Sequence, residues 1–247
     1  MLQTYDPLYT LKPIGDDIWI VDGDVIKMNF GPIKVPFTTR MTIIRLKDGL
    51  LWIHSPINLT KDLIKRVNEL GEVAFLISPN KLHYEYINQW QSEYPNAQTF
   101  ASPGVIKRSE KQGLQIKFHE RLTQTPPIFW EDDIDQLIFQ GSVAVEEVVF
   151  FHKTSNTLIL TDLIENFEPS KVNNFFWRFV MRVAGITAPH GSTPRDFRGT
   201  FINKKRARVQ LEKMMAWQPE KIVIAHGKWF EENGVDELKR AFKWLIK

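Results

Sequence analysis

Three short apolar runs in this chain of 247 residues each lead into a residue that can ligate a metal. Phe75-Leu-Ile-Ser-Pro-Asn-Lys-Leu-His83 and Ile222-Val-Ile-Ala-His226-Gly227 deliver histidines, and Thr157-Leu-Ile-Leu-Thr-Asp162 delivers a carboxylate. Two imidazoles and one carboxylate suit zinc or iron, with open positions left for water or substrate. A metal so held lowers the pKa of its water and makes a nucleophile at neutral pH. The chain contains no cysteine, which excludes a disulfide framework, a thiolate metal site and a cysteine nucleophile.

The elements that must carry these residues follow from pattern. Asp17 to Asp22, Thr39 to Leu46 and Leu50 to His54 read as strands, the last two joined at Lys47-Asp48-Gly49. Leu59 to Leu70 has helical spacing with Thr60 as its cap. Val73 to Ile77 and Gln98 to Ala101 read as short strands, and His83 to Tyr94 as a helix. Residues 105 to 133 read as irregular. Ile134 to Phe139, Val145 to Phe151 and Thr157 to Leu160 read as a second set of strands. Asn166 to Val183 and Phe201 to Trp217 read as helices around a loop at Ala188 to Gly199. Lys221 to Ala225 reads as a last strand and Val235 to Ile246 as a closing helix. Two successive half-units of this kind predict a four-layer αββα sandwich of two mixed β-sheets, and no linker composition divides the chain, so one domain over 1–247 is expected.

With 43% hydrophobic residues and a formal charge of +3, the composition is that of a globular chain and does not by itself imply nucleic acid. No apolar run reaches the roughly 20 residues of a membrane span. Met1 to Gly15 lacks the basic and apolar regions of a signal peptide, so a cytoplasmic location is expected.

The segment Ile77-Ser78-Pro79-Asn80-Lys81-Leu82-His83 resembles the Thr-His-x-His-x-Asp-His motif of the metallo-β-lactamase fold superfamily, in a degenerate form. Ser78 and Asn80 stand where the first two histidines would be, and Leu82 replaces the aspartate. The family's middle Gly-His falls near Gly141-Ser142-Val143, without its histidine. Thr161-Asp162 resembles the Thr-Gly-Asp motif, whose aspartate usually bridges two metals, and Ala225-His226-Gly227 resembles the closing Gly-His-Gly. The resemblance covers about Ile18 to Ile246 and points to an uncharacterised branch of that fold. It implies a reduced, mononuclear site of His83, Asp162 and His226 binding one zinc or iron ion. His54, at a strand end where the fold often carries an acidic residue, is expected as a further ligand or as a partner orienting one.

Three functions remain open at this level. The first is a metal-dependent hydrolase of an ester, amide or phosphoester, with Asp162 orienting the attacking water. The second is a metal-free member that binds a ligand or partner, and the third is an iron-dependent oxidoreductase; fold alone does not choose. The run Phe175 to Val183 is apolar almost all round a helix, and reads as core, homodimer contact or lid. As a lid it would bring Trp177 and Phe176 to a small-molecule substrate, with Arg195 or Arg198 at an anionic end. The bland reading of those arginines is that they pin their own loop. Lys204 to Arg208 reads as a solvated helix face rather than a nucleic-acid site, and His119, His152 and His190 as surface or loop residues.

Overall fold

The computed structural model describes residues 2–30, 33–144 and 146–246. The first half of the chain forms strands β1 (Lys12–Gly15), β2 (Ile18–Phe30), β3 (Ile33–Arg45) and β4 (Leu51–His54), helix α1 (Lys61–Leu70) and strand β5 (Val73–Ser78). Helix α2 (Ile87–Glu93), strand β6 (Gln98–Ala101), helix α3 (Val105–Lys111) and strand β7 (Glu120–Arg121) complete it. The second half runs β8 (Ile134–Phe139), β9 (Glu147–His152), β10 (Thr157–Ile159), α4 (Phe175–Ala184), α5 (Arg195–Gly199) and α6 (Lys204–Ala216). It closes with β11 (Lys221–Val223), α7 (Gly234–Ala241) and α8 (Lys243–Ile246).

β1 to β7 lie side by side in chain order in one sheet, and the second sheet has the order β11-β10-β9-β8. Both sheets are mixed. β1 to β4 pair antiparallel and β4 to β7 parallel, while β8 to β10 pair antiparallel and β10 with β11 parallel.

Strand periodicity explains the layering. Successive side chains on a strand point to opposite faces. On β4 and β5, Trp52, Phe75 and Ile77 face the second sheet, where they meet Val148 and Phe150 of β9. The alternate residues Leu51, Ile53 and Leu76 face outward and are covered by Leu63 and Val67 of α1 and Trp90 of α2. On the far side, Val149 and Phe151 pack under Leu211 and Met214 of α6 and Leu238 of α7. Strands buried on both faces read as continuous apolar runs, which is the pattern of β5, β9 and β10. The result is the αββα sandwich. Thr60 caps α1 through its hydroxyl, which accepts from Leu63 N at 3.2 Å.

Several boundaries differ from the sequence reading. β2 continues well past Asp22 and β3 begins before Thr39, forming one long hairpin whose outer part does alternate, as Ile26-Lys27-Met28-Asn29-Phe30 and Ile33-Lys34-Val35, a strand signal that the sequence reading passed over. The helix expected from His83 starts only at Ile87, because the chain turns at His83 to place its ring. α3 lies in the stretch expected to be irregular. The helix expected from Asn166 begins at Phe175, since residues 165 to 167 are held by bridges to Ser192, Gly227 and Thr187. Val145, expected to open a strand, lies outside the described residues; the strand is described from Glu147. His152 is not a surface residue: it is buried, with Nδ1 2.8 Å from Ser155 Oγ. No helix among the described residues is long and apolar enough to cross a membrane.

Candidate metal centre

Parallel pairing brings strand C-termini to the same sheet edge. β4 and β5 end there in the first sheet, and β10 and β11 in the second. Loops leaving such ends are where α/β folds place their chemistry. His83, Asp162 and His226 lie in those loops and converge, with one donor atom from each all within 4.8 Å of one another. His83 Nε2 lies 3.3 Å and His226 Nε2 3.2 Å from the same oxygen, Asp162 Oδ1.

The other ring nitrogens are already committed. His226 Nδ1 meets the Thr38 carbonyl at 2.6 Å, so it must carry the proton and leaves a lone pair on Nε2. His83 Nδ1 lies 2.7 Å from Ser55 Oγ. A neutral His226 therefore aims a lone pair at a carboxylate oxygen, an arrangement that needs a cation between them, either a proton or a metal. Tetrahedral ligands about 2.0–2.2 Å from an ion stand roughly 3.3–3.6 Å apart, close to the spacings of both imidazoles from Asp162 Oδ1. The chemistry of this donor set, two imidazoles and a carboxylate, thus fits zinc or iron.

Electrostatics favour an anionic Asp162. Burial works to raise its pKa, but His83 and His226 overcome this and hold the carboxyl well below the usual carboxylate range. Burial likewise opposes charge on His83, yet Asp162, helped by Glu147, pushes its pKa up.

The neighbours of the triad were not foreseen as a set. Asn80 is fully buried, and its amide nitrogen donates to Asp162 Oδ2 at 2.6 Å and Thr161 Oγ1 at 2.8 Å. Its carbonyl oxygen accepts from Leu82 N at 2.8 Å, which fixes the amide's orientation. Thus Asn80, standing where the resembled motif has a histidine, makes a hydrogen bond to Asp162. Glu147 lies beneath, accepting from the backbone N–H groups of Thr161 at 2.7 Å, Asp162 at 2.8 Å and Leu163 at 3.2 Å. Burial and the Asp162 charge push the Glu147 carboxyl up, while the backbone donors of Thr161 and Asp162 hold it back. A charged residue opening the apolar run to Phe151 was the available signal. Arg40, buried and ion-paired to Asp22 at 2.8 Å, donates to the Ile224 and Gly227 carbonyls, both at 2.8 Å, and so pins the loop bearing His226. Gly227 has φ +92°, and a Cβ there would collide with the Asn166 backbone. Ser55 also has positive φ, +52°, a costly conformation for serine that aims its hydroxyl at His83.

His54 is not among the three converging donors. Its ring stacks on Trp52 at 5.5 Å, lies edge-on to Phe150, and its Nε2 is buried without a partner. Burial, with the nearby His83 charge, pushes its pKa down to about 3. The folded state therefore excludes a proton that the unfolded chain accepts below its ordinary value near 6.5. This contribution is intact above that pH and is lost as pH falls toward about 3. His54→Leu should flatten the acid limb: between those limits, wild type should lose about 1.4 kcal/mol more per pH unit than the variant. Urea unfolding across pH checks this, and equal slopes would refute it.

A cavity of about 570 Å³ opens at the triad, lined by Asp162 and His226 at its polar end and by Phe37, Phe167, Trp177 and Met181 elsewhere. Trp177 is therefore where a lid residue should be. Phe176 is on the outer face of α4, 64% exposed, and does not line the cavity. Neither arginine lines it. Arg198 donates to Thr193 O at 2.7 Å and Ser192 Oγ at 2.5 Å and lies over the Trp244 ring, pinning its own loop, and Arg195 is exposed. Glu165 and Asp196 line the wall instead. Burial first, with Asp162 and Asp196 adding, pushes the Glu165 carboxyl up to about 8 against the opposing pull of His226. The expected receptor for an anionic end is thus replaced by an acidic wall.

Comparison with known proteins accords with this architecture. The chain matches the family model described as a domain of unknown function, DUF4336, over residues 16–176. None of the curated proteins matches it in sequence. In structure it is similar to DIM-1 metallo-β-lactamase exposed to ceftazidime, at 12% identity and TM-score 0.65, over 96% of each chain. It is similar to a metallo-β-lactamase from Pontibacter korlensis at 11% identity and TM-score 0.60, over 96% of this chain and 99% of that one. It also matches the mono-zinc form of FIM-1 from Pseudomonas aeruginosa at 10% identity and TM-score 0.61, over 96% of each. The chain belongs to the DUF4336 family, and its two facing sheets are those of the metallo-β-lactamase fold.

Proposed function

We propose that the chain is a metal-dependent hydrolase with a mononuclear site, acting on a largely apolar substrate with a neutral or cationic polar end. The observation that carries this reading is the convergence of His83, Asp162 and His226 at the end of an apolar cavity, with the rear nitrogens of both rings already bonded. A bound zinc or iron would supply Lewis acidity and acidify water at that end. The chain's own residues supply the rest. Asp162 Oδ1 sits between the two imidazoles, where it can hold or orient a water proton. Glu165, pushed up to about 8, lines the same cavity and can deliver a proton to a leaving group. The apolar walls around Trp177 displace water and hold the body of the substrate. The mono-zinc form of FIM-1 supports the idea that one ion can occupy this fold.

The test is elemental analysis of protein purified without a histidine tag, joined to hydrolysis of a panel of apolar esters and amides before and after chelation. The expected result is one equivalent of metal, and activity lost on chelation and restored by zinc or iron. Metal-free, inactive protein that takes up no added ion would sink the reading and leave a ligand-binding member. Trp177→Ala should leave metal content unchanged and raise KM about 10- to 100-fold, since an aromatic wall contributes about 1–3 kcal/mol by burial. An unchanged KM would show that the substrate lies elsewhere.

A further inference from the structure

α4 has two apolar faces, and only one is used by the cavity. Trp177, Val180, Met181 and Ala184 turn inward and line it. Phe175, Phe176, Phe179 and Val183 point outward and are 83%, 64%, 60% and 50% exposed. Across the mouth stands the β2–β3 hairpin, whose Met28 and Val35 line the same cavity. The exposed cations of both elements neighbour lining residues in the chain: Lys27 beside Met28, Lys34 beside Val35, Arg178 beside Trp177, and Arg182 beside Met181. α4 carries no acidic residue. The outer face of α4 is thus apolar and, through Arg178 and Arg182, basic, whereas Lys27 and Lys34 alternate with Met28 and Val35 onto the hairpin face turned away from the cavity, and the acidic groups Asp162, Glu165 and Asp196 belong to the cavity wall.

We infer that the outer face of α4 is a docking face for an anionic lipid bilayer, which sets the cavity that α4 covers beside the membrane surface. A helix with aromatic residues flanked by arginines lies in the plane of the headgroups, its apolar side chains below and its cations against lipid phosphates. At ten residues, α4 is about 15 Å long, suited to lying on a bilayer and not to crossing it. The charge pattern also decides against a second copy of the chain as the occupant. A two-fold contact through this face would set Arg178 and Arg182 against their own equivalents, with no acidic partner on α4 to receive them. An anionic surface satisfies both arginines.

Membrane docking requires neither the metal nor hydrolysis, and vesicle binding tests it. The tagless full chain is sedimented with vesicles of phosphatidylcholine mixed with phosphatidylglycerol, and with vesicles of phosphatidylcholine alone, across a salt series. Binding is expected to the mixed vesicles, to weaken with salt, and to be poor on pure phosphatidylcholine. Arg182→Gln should lower partitioning about five-fold, and Lys27→Gln, on the far face of the hairpin, should leave it unchanged. Phe175→Ser with Phe179→Ser should abolish it while the circular dichroism spectrum stays that of wild type, since both rings are exposed. Failure of wild type to bind mixed vesicles overturns the proposal. So does a wild-type dimer that the Phe175→Ser/Phe179→Ser variant converts to monomer, because the face would then be a homodimer contact.

Discussion

Asp162→Ala is expected to strip the site of metal and end turnover. Asp162 Oδ1 is the one oxygen that both His83 and His226 face, at 3.3 Å and 3.2 Å. Removing it leaves two neutral imidazoles and no charge to offset a divalent ion. Loss of a partner that merely orients a ligand typically costs 10- to 100-fold in metal affinity. Loss of the only anionic ligand in the triad should exceed about 100-fold, read by calorimetric titration of the apo protein with zinc. Ser55→Ala is the graded control, since Ser55 touches the metal site only through His83 Nδ1. It should fall within the 10- to 100-fold range, with the fold intact. An Asp162→Ala protein that still retains one tightly bound ion would end the mononuclear reading.

Glu147→Leu should be the most destabilising single change near the site, costing about 3–5 kcal/mol. Exchanging a buried ion pair for apolar side chains can be neutral when both partners leave. Here the partners are the N–H groups of Thr161, Asp162 and Leu163, which no side-chain substitution removes. Leucine would orphan all of them inside the core, and each buried donor without a partner carries its desolvation cost. Glu147→Gln keeps the shape but turns an NH₂ group toward a donor, and should cost about 1–3 kcal/mol. Urea denaturation midpoints rank the two. If Glu147→Leu stays within about 1 kcal/mol of wild type, the Thr161–Leu163 segment is held by its other contacts, and the role assigned to Glu147 is wrong.

The sequence carried the fold further than it carried the site. Alternation along Leu50 to His54 and the apolar runs at Val73 and Val148 sufficed for strands and layers, because burial on one or both faces writes itself into residue type. His83, Asp162 and His226 could be read because imidazole and carboxylate at strand ends are conspicuous against apolar runs. Asn80, Arg40 and Ser55 could not. Their roles depend on tertiary partners more than 20 residues away: Asp162 for Asn80, Gly227 for Arg40, His83 for Ser55. The arginines of the loop misled for the opposite reason. Arg-x-x-Arg advertises an anion site, but Arg198 is used up by Ser192 and Thr193, neighbours whose approach only the folded loop creates. The outer face of α4 was marked only by Arg178 and Arg182, one turn apart in a run otherwise apolar all round.

The amide of Asn80 has one more consequence. In the two-metal pattern that this chain resembles, the bridging aspartate depends on a second ion drawn from solution. Here Asp162 Oδ2 is matched by a donor synthesised with the polypeptide, neutral at every pH and present in every molecule. For the mononuclear site proposed above, readiness would depend on free metal to the first power alone, so a cell short of metal would lose function in proportion to the shortage, without the steep collapse that a requirement for two ions imposes.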